Sequence, residues 1–88
     1  MYVHIGNDEI LNRDDIIAVL DLSQIKHSRQ NLRIINEMKA RNNPSDQSVI
    51  IIQRNNKEER IFTNIAVSTL RKRLSTNAYT YFPEEKDI

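Results

Sequence analysis

The chain of 88 residues carries 13 Lys and Arg against 12 Asp and Glu, 39% apolar residues and no cysteine. A chain of this length buries only about 60–65% of its unfolded surface, which leaves material for one core and one domain. The lack of cysteine excludes a disulfide framework and a thiolate metal site, and no apolar run approaches the about 20 residues that a membrane-crossing helix needs.

The opening Met1-Tyr2-Val3-His4 has no basic-then-apolar leader, so the chain reads as cytoplasmic and full length. The formal charge of +1 conceals a segregation. Residues 1–22 hold five acids and one base, residues 23–41 five bases and one acid, and residues 64–78 three bases and no acid. Acidic and basic surfaces on one small molecule can steer a nucleic acid or set a contact between copies, and they can also be merely solvated faces.

Residues 2–5 alternate in a β-prone pattern, Gly6-Asn7-Asp8 is a turn signal and residues 9–12 resume a short strand, together a β-hairpin. Gly6 is the single glycine and the strongest candidate for a positive φ. After the polar break Arg13-Asp14-Asp15, the run Ile16-Ile17-Ala18-Val19-Leu20 is expected as a buried strand. From Ser23 the period shifts toward 3.6 and predicts a helix to Ala40, capped by Ser23 or Ser28, with Ile25, Leu32, Ile35 and Met38 as its apolar stripe. Lys26, Arg29 and Arg33 fall on the other side at offsets of three and four, a candidate phosphate-binding stripe or a solvated face.

Asn42-Asn43-Pro44-Ser45-Asp46-Gln47 then stops the helix. Residues 48–54, S-V-I-I-I-Q-R, hold four consecutive β-branched apolar residues with no polar side, the pattern of a central strand covered on both faces. A turn at residues 55–58 and a β-prone run at residues 60–63 complete a second hairpin. Residues 64–74 predict a shorter helix with Val67, Leu70 and Leu74 inward and Arg71-Lys72-Arg73 near its end, where cations also favour the helix dipole. The domain is placed at residues 1–74 and a tail at residues 75–88. In the tail, Tyr79, Tyr81 and Phe82 are expected to dock on the body or on a neighbouring copy while the acidic end frays. The fold class is therefore α+β: a small single domain, mainly antiparallel sheet of about five short strands, with one longer helix and one short C-terminal helix.

There is no H-E-x-x-H, no P-loop and no G-x-G-x-x-G, and the two histidines, His4 and His27, cannot alone supply a metal site. Asp8, Glu9, Asp14, Asp15 and Asp21 stand where turns and strand ends need polar groups. The expectation is a non-enzyme with no cofactor, no metal and no small-molecule substrate.

The module of residues 5–21, I-G-N-D-E-I-L-N-R-D-D-I-I-A-V-L-D, with V-I-I-I at 49–52 and I-F-T at 61–63 running into L-R-K-R-L at 70–74, resembles the RemA/RemB family of bacterial extracellular-matrix regulators. It looks most like the RemB, or YaaB-like, branch. The resemblance implies a ring-shaped homo-oligomer that binds promoter DNA of biofilm-matrix genes. RemA-type proteins carry a Gly-Arg-Arg-Thr-Arg segment before the central strand, where this chain has Asn43-Pro44-Ser45-Asp46-Gln47, and Asp15 stands at another of the family's arginine positions. The candidate DNA contacts are therefore this chain's own cations: Arg13, Lys26, Arg29, Arg33, Arg71, Lys72 and Arg73. An alternative reading is an oligomeric scaffold without DNA binding, in which the acidic first module of one copy meets the basic helix of the next.

Overall fold

Val49 and Ile52 are fully shielded from solvent and Ile50 almost so, because the strand that carries them lies in the middle of the molecule. The computed structural model describes residues 1–75. In it, β1 (Tyr2–Gly6) and β2 (Glu9–Asn12) form an antiparallel hairpin, and β3 (Ile16–Asp21), β4 (Ser48–Arg54) and β5 (Lys57–Thr63) form an antiparallel sheet in the order β3-β4-β5. Helices α1 (Leu22–Ile25), α2 (Leu32–Arg41) and α3 (Val67–Ser75) complete the α+β fold, so the five expected strands are present in two sheets.

Side chains alternate across β4 and divide the core in two. Ile50 and Ile52 pack with Val3, Ile5 and Leu11 of the hairpin and Leu70 of α3. Val49 packs on the other face with Leu22 and Ile25 of α1, Ile34 of α2 and Phe62 of β5. The hairpin and α3 thus cover one face of the sheet, and α1 and α2 cover the other. This explains why the strand has no polar side.

Several expectations are corrected by the structure. Residues 16–20 do form a strand, but at the sheet edge: it pairs only with β4, a bulge falls between Ile16 and Ala18, and Ile17 is 56% exposed. The single helix expected from Ser23 to Ala40 is broken. Asp21, not Ser23, caps α1, accepting from the Ser23 amide at 2.9 Å, and the chain then turns extended at Ser28 (φ −89°, ψ 124°) before a 3-10 turn at Arg29–Asn31. The Ser28 hydroxyl accepts from the Asn31 side chain at 3.1 Å, a local bond that competes with helix continuation. Because of the break, Leu32 is 56% exposed and Ile34 takes its place inward beside Ile35. The turn of the second hairpin is only Asn55-Asn56, with φ of 52° and 64°, so Lys57 and Glu58 already belong to β5. Two left-handed residues in a two-residue loop match the twist of the flanking strands. Asp14 and Asp15 lie in the expected polar break, which forms a 3-10 turn at Arg13–Asp15, and α3 begins at Val67 rather than Asn64.

Polar bonds lock the end of the sheet to the hairpin. The buried Thr63 hydroxyl donates to the Ile5 carbonyl at 2.6 Å and accepts from the Ile65 amide at 3.1 Å, while buried Ser48 donates to the Ile65 carbonyl at 2.7 Å. Among the described residues no buried side-chain polar atom lacks a partner. The acidic tail and the aromatic Tyr79, Tyr81 and Phe82 lie outside the described residues. No helix among the described residues is long and apolar enough to cross a membrane.

The face that carries α2 is further joined by a two-pronged ion pair. Arg60 of β5 donates to both carboxylate oxygens of Glu37 at 2.6 and 2.7 Å. These hydrogen bonds hold the Glu37 carboxyl below the ordinary carboxylate range and raise Arg60 above its own. A carboxyl whose folded value is lowered contributes stability at neutral pH that is lost as pH falls below about 4, the unfolded value, and through the lower folded one. Glu37 keeps 40% of its side chain exposed, so the contribution is up to about 1 kcal/mol. Glu37→Gln is therefore expected to flatten the acid limb of a stability-versus-pH curve followed by urea denaturation; an unchanged limb would show that the pair contributes nothing.

Candidate nucleic-acid interface

The basic residues divide into those spent on structure and those left outward. Arg41 donates to Asp46 at 2.7 and 3.1 Å across the α2–β4 loop and stacks 5.0 Å from the centre of the Phe62 ring, and its bond to Asp46 raises its pKa. The loop enters through Asn42, whose left-handed φ of 50° ends α2. Arg54 pairs with Glu59 at 3.2 Å, and Arg60 with Glu37 as described. These three arginines have carboxylate partners supplied by the fold.

Lys26, Arg29 and Arg33 do not. All three are exposed, and none has a carboxylate within ion-pair distance among the described residues. Arg33 stands one turn before Glu37 and helps to lower its pKa, but both Glu37 oxygens are taken by Arg60. The three cations do not share one helix face as the sequence spacing suggests: Lys26 caps the end of α1, Arg29 opens the 3-10 turn and Arg33 lies in the first turn of α2. They form one stretch of chain on the α1/α2 layer, with exposed His27 and Gln30 between them. Sequence reasoning weighed His27 only as a metal ligand and left Gln30 unconsidered.

Arg71, Lys72 and Arg73 belong to α3, in the opposite layer. Arg71 and Lys72 are exposed, whereas Arg73 is half-buried and donates to the His4 carbonyl at 2.9 Å, clamping α3 to the hairpin. Arg13 is half-buried in the turn after β2, its backbone amide bonded to the Met1 carbonyl at 2.7 Å and its guanidinium 3.6 Å from the Met1 sulfur. The structure therefore leaves Lys26, Arg29 and Arg33 exposed along one stretch of the α1/α2 layer. It sets Arg71, Lys72 and Arg73 on the far side of the sheet, and it gives Arg13 and Arg73 intramolecular contacts.

This geometry can do electrostatic work. Three outward cations on one short stretch can each neutralise a phosphate, a contact that fixes position on a backbone without reading bases. Among the described residues no group of three or more His, Asp or Glu is placed to hold a metal ion. No family model, no curated protein and no solved structure matches the chain.

Proposed function

We propose that this protein is a non-enzymatic, RemB-like regulator of extracellular-matrix gene expression that acts in the cytoplasm as a homo-oligomer and binds DNA through Lys26, Arg29 and Arg33. The observation that carries the reading is the contrast between these exposed cations and Arg41, Arg54 and Arg60, each of which has a carboxylate partner. The resemblance to the RemA/RemB family supplies the regulatory setting and the ring. One chain offers three phosphate contacts, too few for tight binding at physiological salt. Repetition around an oligomer raises avidity by about two to four powers of ten. Such a surface favours DNA shape over sequence.

Titrating labelled duplex DNA with the oligomer tests this reading. Binding is expected to be salt-sensitive, indifferent to sequence and abolished by the charge reversal of Lys26, Arg29 and Arg33 to Glu. A second reading, an interaction module without DNA, is favoured by one feature of the hairpin. Its outward face exposes Tyr2 and Ile10 by 64% and 58%, an apolar surface suited to a protein partner. Under that reading a folded oligomer leaves the DNA unbound.

A further inference from the structure

A groove of about 310 Å³ runs between the edge strand β3 and α3, lined by Val19, Val67, Arg71, Leu74 and Ser75. Its volume lies at the lower end of the range for small-ligand pockets, and its walls are chiefly apolar, with one cation. The strand beside it is an edge whose bulge between Ile16 and Ala18 interrupts only its first part. On the opposite edge, β5 exposes Lys57, Glu58 and Glu59, charges that discourage pairing, whereas β3 has no charged residue from Ile16 to Leu20.

Two observations indicate what covers this groove. Ser75, the last described residue of α3, is itself one of its walls, and 13 residues of sequence follow it to Ile88. Those residues contain Tyr79, Tyr81 and Phe82, three of the five aromatic residues of the chain, followed by Glu84 and Glu85. Four extended residues cover about 13 Å and α3 itself is about 13 Å long, so residues 79–82 are enough to span the groove once three residues are allowed for reversing direction. Aromatic rings suit an apolar slot of this size, and Arg71 on its wall has no carboxylate partner among the described residues with which to compete for the glutamates.

We propose that the aromatic segment Tyr79-Thr80-Tyr81-Phe82 of the same chain fills the groove between β3 and α3, with Glu84 and Glu85 drawn toward Arg71. The docked segment covers the open side of β3 and blocks that edge from pairing with another molecule. This inference does not depend on DNA binding.

The test is methyl NMR on the full chain. Nuclear Overhauser contacts are expected from the ring protons of Tyr79, Tyr81 or Phe82 to the methyls of Val19, Val67 or Leu74. They should be unchanged on dilution and lost in the Tyr79→Ser, Tyr81→Ser, Phe82→Ser variant, with accompanying methyl shift changes. A mixture of differently labelled chains decides which copy supplies the segment. Contacts seen only between chains would overturn the proposal in favour of an exchanged segment, and a groove whose methyls touch no ring of residues 79–82 would overturn it altogether.

Discussion

Ile50→Ala is expected to lower the stability of the protein by about 2–5 kcal/mol, read as a fall in the urea midpoint at unchanged slope. Ile50 stands in the central strand opposite Val19 on one side and Ile61 on the other, is 1% exposed, and belongs to the core that joins the sheet to the hairpin and to α3. Truncation removes three carbons from a site walled by three separate elements, which cannot all collapse into the gap. For a domain of this size the whole stability is about 4–13 kcal/mol, so a large fraction is at stake. Ile17→Ala removes the same atoms from a residue of the neighbouring strand that is 56% exposed, and is expected to change stability by no more than about 0.5 kcal/mol. Equal effects at the two positions would contradict the burial of Ile50 and the exposure of Ile17.

Gly6→Ala is expected to cost about 2–4 kcal/mol, from two sources. The backbone at Gly6 has φ of +97°, outside the region an L side chain adopts readily. A Cβ there would also lie 2.7 Å from the Thr63 hydroxyl and 3.1 Å from the Ile65 side chain. Thr63 cannot yield without loss, because that hydroxyl holds the Ile5 carbonyl and the Ile65 amide. If the contact matters, Gly6→Ala and Thr63→Ala together should cost less than the sum of the two alone, since the second removes the atom that the first collides with. Strict additivity would leave only the backbone term. The single glycine is thus where the hairpin meets the corner between β5 and α3.

Much of the fold was legible in the residues. Four β-branched side chains at 49–52 have the pattern of a strand covered on both faces, and that is where β4 lies. The run at residues 16–20 has nearly the same composition and yet is an edge strand, because apolar content reports burial of side chains and not whether a backbone has one neighbour or two. The break between α1 and α2 carries no glycine or proline, so periodicity passed over it; it depends on Ser28 and Asn31 bonding to each other. The left-handed residues Asn42, Asn55 and Asn56 were legible only as turn formers, their φ values being set by where the helix and strands end.

The candidate site was legible as charge but not as placement. Spacing put Lys26, Arg29 and Arg33 on one helix face, whereas three short elements carry them. Nothing in the sequence showed that Arg71 and Lys72 would lie across the sheet from them, since that follows from which face of β4 each helix covers. Nor could spacing show that Arg60 and Arg41 would find Glu37 and Asp46, pairs 23 and 5 residues apart that remove two arginines from the supply of free cations.

The most direct test of the central claim is the salt dependence of duplex DNA binding, measured by fluorescence anisotropy for the wild type and for the variant with Lys26, Arg29 and Arg33 changed to Glu. Three phosphate contacts per engaged subunit predict a log–log slope of about −2.7 per subunit, and the variant should lose binding while keeping its fold and assembly. Salt-steep binding that survives the charge reversal, or a folded wild type that leaves DNA free up to about 100 μM protein, would contradict it.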